Sequence, residues 1–340
     1  MLNSGAAPAA RAQRSETRSA PREARLSHRY LVTGGAGFVG SAVVHALLGR
    51  GDEVTILDSG VAAGLAYLDG LPVRIVAADI RDTGKMRDAL AGAEAVVHLA
   101  ARTSVPESVE DPLEDMAVNV VGTIELLDAA RQQGVTRFVF ASSNAVTSGH
   151  PPPMREDLLP RPVAPYGAAK AAAEAYLAAY HDAFGMETVS LRFANAYGPR
   201  SRHKTSVVAA FIEAYLDGRP LVIYGDGRQT RDFVHVDDLA TLILRCLDAP
   251  PALVAGEIFQ AGTGRETSLA ELAELVFRLG GAPTRIEHRP ARAGDVARNY
   301  SDVSKAARVL DHHPRMDIAQ GMADTLAWFR EDRRPDADAR

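Results

Sequence analysis

The chain has 340 residues, 46% of them hydrophobic and 24% charged, with a formal net charge of −5. That balance excludes wholesale disorder and a basic field for nucleic acid, and the length suits about two domains or one large α/β unit. A single Cys excludes a disulfide framework or a Cys-built zinc site, and no apolar run approaches the roughly 18 residues of a membrane span. A cytoplasmic protein with no metal, no membrane and no nucleic-acid partner is therefore expected.

The charge is unevenly spread. Residues 1–29 carry six arginines (Arg11, Arg14, Arg18, Arg22, Arg25, Arg29) against Glu16 and Glu23. They lack hydrophobic periodicity and the apolar core of a secretory signal, so residues 1–28 read as a disordered basic tail. Residues 331–340 read as a flexible C-terminus for the same reasons.

From Arg29 onward, strand and helix alternate. Arg29–Val32 is a short apolar strand, followed by T33-G-G-A-G-F-V-G40 and the apolar helix from Ser41 to Leu48. The strand E53-V-T-I-L-D58 completes a βαβ unit of about 30 residues, the setting in which a glycine-rich turn binds a dinucleotide. Gly34 suits the tight turn, Gly37 the approach of a pyrophosphate, and Gly40 close helix–strand packing; the helix N-terminus faces the anion. Asp58 ends the next strand, 18 residues after Gly40. A carboxylate there accepts from a ribose 2′-OH and repels a 2′-phosphate, which points to NAD over NADP. Asp79, ending the strand V73–A77 and its extension, has two readings: a contact to the adenine amine, or a strand-end cap.

Further strands are expected at 95–99 and 137–141, with helices at 86–91 and 116–133. Near-continuous Val/Ile strands imply a parallel sheet covered on both faces. Tyr166 and Lys170 then stand four residues apart on one helix face, after Pro165. A phenol is a poor base at neutral pH, and a nearby ammonium would favour its ionisation. Upstream, S142-S-N144 places hydroxyls at the carboxyl end of the sheet. Cys246, within an apolar helix, reads as buried and inert, and Trp328 as helix packing.

Taken together, these motifs resemble the extended short-chain dehydrogenase/reductases, specifically the NAD-dependent sugar-nucleotide epimerase/dehydratase group. The resemblance covers roughly residues 29–330. It is carried by T33–G40, H98-L-A-A101, N119-V-V-G-T123, S142-S-N-A-V146, Y166-G-A-A-K170, L191–R200, Y224–L239, A261–S268 and R292-A-G-D295. It implies a Rossmann-type doubly wound parallel sheet with a smaller α/β substrate-binding domain. The NAD-binding domain would be 29–194 plus 236–249, and the nucleotide-sugar domain 195–235 and 256–330.

The same resemblance implies Tyr166 as general base, Lys170 as the cation that lowers its pKa and holds the nicotinamide ribose, and Ser143 as the hydroxyl sharing the proton. Around a tightly bound, unconsumed NAD it implies Gly34, Gly37, Phe38, Val39, Gly40, Asp58, Asp79, Ile80, Leu99, Ala100, Ala101, Asn119 and Ser142, with Tyr166 and Lys170. His98 is expected to pack or bond to backbone. Around a UDP-sugar it implies Ser143, Asn195, Val207, Val222 and Tyr224, with Arg231 and Arg292 on the phosphates and Asp295 on the ribose. Asp237 and Asp238 read as structural.

Reaction and sugar rest on fewer residues. Dehydratases of the group carry Thr-Asp-Glu where this chain has S143-N-A145, which argues for a 4-epimerase: hydride leaves C4, the 4-keto sugar turns, and hydride returns to the other face. Arg202 matches an arginine that meets the sugar carboxylate in UDP-glucuronate epimerases, so conversion of UDP-glucuronate to UDP-galacturonate is the first expectation. UDP-glucose or an N-acetyl relative is the alternative, with Arg202 then a solvated loop charge. A dehydratase or reductase on the same substrates, and a non-catalytic NAD-sensing regulator, are further alternatives. Asn299 falls at a position that limits sugar size. The resemblance also implies a homodimer formed through helices near 107–133 and 166–184.

Overall fold

We describe a computed structural model of the chain, which covers Met1 and residues 27–60, 67–291 and 296–333. The basic tail and the last seven residues therefore lie largely outside the described residues. The first half alternates as expected: β1 (Arg29–Thr33), α1 (Phe38–Leu48), β2 (Glu53–Asp58), β3 (Val73–Ala77), α2 (Thr83–Leu90) and β4 (Ala95–His98). Then come α3 (Val105–Glu110), α4 (Pro112–Met116), α5 (Thr123–Gln132), β5 (Arg137–Ser143), α6 (Pro165–Phe184) and β6 (Glu187–Phe193). The continuous helix expected over 116–133 is instead broken: Ala117–Gly122 winds as a π-helix between α4 and α5. Such wide turns are rare and concentrate at functional sites.

Seven strands form one parallel sheet in the order β11-β6-β5-β4-β1-β2-β3, where β11 is Glu257–Ala261. The order reverses between β1 and β4, and ligands of doubly wound sheets bind outside the strand carboxyl ends at that switch. Period-two alternation sends neighbouring residues to opposite faces. Val32, Val97 and Val139 join a core with α1 and with α8 (Val236–Asp248). Leu31, Val96, Phe138 and Phe140 join a second core with α5 and α6. Helix α8 thus packs with the first core. Strand β11, which the sequence reading gave to the nucleotide-sugar domain, completes the main sheet, because its register with β6 extends the parallel ladder by one strand.

The remaining elements are β7 (Asn195–Tyr197), α7 (Val207–Leu216), β8 (Leu221–Tyr224), β9 (Thr230–Arg231), β10 (Phe233–His235), β12 (Thr267–Ser268), α9 (Leu269–Gly280), β13 (Ile286–Arg289), β14 (Arg298–Asn299), α10 (Ser304–Leu310) and α11 (Ile318–Asp332). A third core of Phe211, Leu221, Phe233, Leu272 and Phe329 gathers most of them, while α10 joins the first core through Ala306 and Leu310. Helix α11 reaches into the expected C-terminal fringe because Arg333 pairs with Asp217 at 2.8 Å and with Glu213. Trp328 packs edge-on against Tyr67, and Cys246 is fully buried, its thiol pushed up to about 12 by burial. No helix among the described residues is long and apolar enough to cross a membrane.

Helix α6 is fixed to the sheet by a buried ion pair. Arg192 of β6 donates to Glu174 of α6 through Nη2 at 2.8 Å and Nε at 3.0 Å, and Ser142 of β5 donates to the same carboxylate at 2.5 Å. Removing one partner strands the other charge in the core. Arg192→Met is expected to lower unfolding free energy by about 3–5 kcal/mol, measured by urea denaturation, and Arg192→Met combined with Glu174→Met to recover much of that loss.

Candidate active site

The glycine turn sits at the switch point. Gly34 has φ +68°, and a Cβ there would lie 2.7 Å from the Ala100 nitrogen and 2.9 Å from the Leu99 carbonyl carbon. The β1–α1 turn thus lies directly on the loop that follows β4, leaving room for backbone only. A Cβ on Gly40 would collide with the Gly34 carbonyl and sit 2.7 Å from Gly35 Cα. Gly37 caps α1 without a side-chain bond, and the first turn holds no acid. The N–H groups of that turn, including those of Phe38, Val39 and Gly40, lack intrahelical acceptors and suit an anion.

Asp58 ends β2 beside this turn. Its Oδ2 accepts from Ala36 N at 3.0 Å and its Oδ1 from Gly60 N at 2.7 Å, leaving acceptor capacity on both oxygens. Asp79 is engaged by Arg81 through Nη2 at 2.8 Å and Nε at 2.9 Å, which holds its carboxyl below the usual range. Arg81 N also donates to Asp79 Oδ1 at 2.9 Å. Ile80 is buried against Gly122 of the π-helix. The cradle at Gly34 and Gly40, the bare helix N-terminus and the Asp58 carboxylate form a donor and acceptor set that fits a dinucleotide.

A chain of hydrogen bonds ties these parts together. Ala100 N donates to Thr33 Oγ1 at 3.3 Å, Thr33 Oγ1 meets His98 Nδ1 at 2.6 Å, His98 Nε2 meets Thr123 Oγ1 at 2.9 Å, and Thr123 donates to Asn119 O at 2.8 Å. Because the Thr123 proton goes to Asn119, its oxygen accepts from His98 Nε2–H, and Nδ1 accepts from Thr33. Burial, aided by the Lys170 charge, holds the imidazole neutral, with a pKa down to about 3. Of the two roles expected of it, His98 takes packing, against Phe138 and Phe140, and its ring nitrogens brace threonine side chains and not backbone. Asn119 continues the brace: its amide spans Arg102, accepting from N at 3.0 Å and donating to O at 2.9 Å.

Pro165 opens α6 from an extended Ala164, placing Tyr166 and Lys170 on the face turned to β5. Tyr166 N donates to Ser108 Oγ at 3.1 Å. Burial pushes the phenol up to about 12, a Ser143 hydrogen bond pulls it back, and the Asp115 charge pushes it further up. Lys170 Nζ donates to Ala141 O at 2.8 Å, lies 4.6 Å from the Phe140 ring centroid and 5.9 Å from that of Tyr166. Burial holds it down to about 7. Sequence reasoning set the lysine against the phenol's proton; in the structure desolvation dominates that balance. Ser143 Oγ also accepts from Ala145 N at 3.1 Å. Ser142 is turned to Glu174, beneath the cleft.

Asn144 fills the place beside Ser143. Its amide donates to Asn299 Oδ1 at 3.2 Å and Ser301 Oγ at 2.9 Å, 155 and 157 residues away. Asp232 organises that return segment, accepting from Thr263 N at 2.8 Å, Gly264 N at 3.1 Å and Ser301 N at 3.2 Å. Asn195 is exposed at the start of β7, Val207 opens α7, and Val222 and Tyr224 lie half-buried in β8. Arg231 donates to the carbonyls of Thr230 at 2.8 Å and Val296 at 2.6 Å. Arg292 and Asp295 lie outside the described residues. Arg202 is committed elsewhere: its guanidinium pairs with Glu213 at 3.0 Å and Asp332 at 2.8 Å. Its neighbour Lys204 instead reaches Thr103 at 2.9 Å, laying the 201–204 loop against the segment after β4. Neither Asp115 nor Ser301 stood out in the sequence; only for Asp115 was there a signal, its place four residues before Asn119.

Residues 30–262 match the NAD dependent epimerase/dehydratase family, and the chain belongs to it. A UDP-glucose 4-epimerase of Mycolicibacterium smegmatis is 42% identical over 313 residues, covering 89% of this chain and 98% of the relative. The structure of Thermus thermophilus UDP-glucose 4-epimerase in complex with NAD is 37% identical, with a TM-score of 0.82, covering 89% of this chain and 99% of that one. That of a UDP-glucuronic acid 4-epimerase from Bacillus cereus, with UDP-glucuronic acid and NAD, is 27% identical, with a TM-score of 0.84, covering 89% and 99%. dTDP-glucose 4,6-dehydratases also stand among the relatives. NAD is the cofactor, as the glycine turn and Asp58 had indicated.

Gly40→Ala tests the cradle. With the close approach to Gly34 blocked, NAD affinity is expected to fall at least about tenfold, measured by calorimetry on cofactor-stripped protein, while far-UV circular dichroism stays unchanged.

Proposed function

We propose that this enzyme is a UDP-sugar 4-epimerase acting on a neutral hexose such as UDP-glucose or its N-acetyl relative. The observation that carries the choice of reaction is Asn144. Eliminating water from the sugar needs acid–base groups beyond the Tyr166 phenol, and beside Ser143 stand an amide, bonded to Asn299 and Ser301, and Ala145. Epimerisation needs one proton taken from the 4-hydroxyl and returned.

In this reading Tyr166 is that base. Ser143 accepts or donates at the same hydroxyl, and Lys170 supplies positive charge next to the phenol. The glycine turn and Asp58 would hold NAD, which would supply a reversible hydride acceptor for C4 and so would not be consumed. The cleft floor of Thr33, His98 and Asn119 holds the cofactor side rigid, and the proton moves only between the sugar oxygen and Tyr166. Residues 195–235 and the segment after β11 would hold the nucleotide-sugar, with Arg231 and Arg292 on its phosphates.

UDP-glucuronate is the second reading, and the Bacillus cereus relative favours it. It requires Arg202 to leave Glu213 and Asp332 for the sugar carboxylate, since an unpaired carboxylate in the cleft is costly. We also propose a cytoplasmic homodimer. Val109, Leu113, Met116 and Val121 around the π-helix, with Tyr176 and Phe184 on α6, are exposed apolar side chains on neighbouring elements.

Incubation with a panel of UDP-sugars, followed by NMR at C4, is expected to show gluco and galacto forms equilibrating with no net NADH. Tyr166→Phe is expected to lower kcat about 10²–10⁴-fold; near-normal turnover overturns the mechanism. Arg202→Ala separates the substrates: a neutral-hexose enzyme keeps its kcat/KM for UDP-glucose, whereas selective loss on UDP-glucuronate establishes the acidic reading. Light scattering is expected to give twice the monomer mass, and Leu113→Glu with Met116→Glu to halve it.

A further inference from the structure

Asp115 is a buried carboxylate that the proposed reaction does not use. It lies in α4, only 1% exposed, and α4 packs against α6. Its Oδ1 accepts from Asn119 Nδ2 at 2.9 Å; its Oδ2 has no hydrogen-bond partner among the described residues. An unsatisfied charged oxygen in the interior is costly unless a nearby charge compensates it.

We propose that Asp115 is the buried counter-ion of Lys170, a positioning residue that keeps the lysine in its ammonium form beside Tyr166. The Lys170 ammonium has three donors, and one goes to Ala141 O. Of the charges facing it, Glu174 on its own helix is already matched by Arg192 and Ser142. His98 from β4 is neutral. Asp115 acts on Lys170 more strongly than Glu174 does, and against burial. The coupling is mutual: burial raises the Asp115 carboxyl, and Lys170, Arg102 and the Asn119 bond bring it back down. Arg102 is the other cation on this face and also approaches Glu107, at 3.6 Å. The π-helical turn is what makes the arrangement possible. It carries Asn119, whose amide holds Asp115 Oδ1 and the Arg102 backbone together, while Oδ2 keeps no hydrogen-bond partner among the described residues.

The sign of the effect follows. The Asp115 charge favours the protonated form of Lys170 and opposes ionisation of Tyr166. Removing it moves both groups to lower pH. This inference builds on Tyr166 and Lys170 as the acid–base pair, and its primary test needs no substrate.

The chain has four lysines, Lys85, Lys170, Lys204 and Lys305. In full-length protein labelled with ¹⁵N at lysine Nζ, the Lys170 signal is assigned by its loss in Lys170→Arg. It is expected to titrate near pH 7 in the wild type. In Asp115→Asn, which preserves an acceptor for Asn119, its midpoint is expected about one unit lower, with Lys85 and Lys305 unmoved. Asp115→Ser serves if the asparagine variant does not fold, and Asp115→Glu is expected to restore the wild-type midpoint. An unmoved Lys170 midpoint in a folded Asp115→Asn or Asp115→Ser protein overturns the assignment. In turnover, both limbs of the pH–rate profile of Asp115→Asn shift to lower pH; a uniform loss of kcat with unshifted limbs also overturns it. A shifted lysine in a protein without 4-epimerase activity sustains the counter-ion and sinks the reaction assigned above.

Discussion

The buried pair between Arg192 and Glu174 is the constraint on which the site depends. Tyr166 and Lys170 sit on a helix whose N-terminal half has little apolar bulk: Gly167, Ala168, Ala169 and Ala171–Ala173 offer few contacts of their own. What fixes that helix against β5 and β6 is Glu174, gripped by Arg192 and Ser142. A buried ion pair is weak evidence for stability but strong for geometry, because any other position of the helix leaves two charges unpaired in the core. The small residues allow the close approach, and the charges select one depth and one rotation.

The cofactor side is held differently. There, backbone is pressed against backbone at Gly34 and Ala100, and the hydrogen-bonded line through Thr33, His98, Thr123 and Asn119 stitches β1, β4 and the π-helix into one floor. Every link of the line is buried, so each donor has one partner and the tautomer of His98 is dictated by its neighbours. From that floor Asn119 holds Asp115 of α4, and α4 packs against α6, the helix of Tyr166 and Lys170.

Much of this was legible in the chain. The βαβ unit, the glycine spacing and Asp58 follow from local rules: glycine where a side chain cannot fit, and an acid at a strand end. Tyr166 and Lys170 follow from the helical period. The π-helix was not legible, because Ala117–Gly122 has ordinary helical composition and the wide turn answers the packing of Asn119 and Ile80. Arg202 shows the same limit. A motif position gave it a substrate role, but its partners Glu213 and Asp332 come from helices 11 and 130 residues further along the chain.

The sequence by itself therefore determined the cofactor turn, the sheet order's parallel character and the spacing of Tyr166 and Lys170 on one helix face, since each depends on residues within one turn or one βαβ unit. Tertiary structure alone decided that Asp115 is buried on a helix packed against that of Lys170, that Asn144 is held by Asn299 and Ser301, and that β11 closes the main sheet. Those outcomes depend on burial and on partners 55 to 157 residues apart. In a desolvated interior the strength of a charge or hydrogen bond is set by what lies across the fold, and neighbours in sequence carry no record of it.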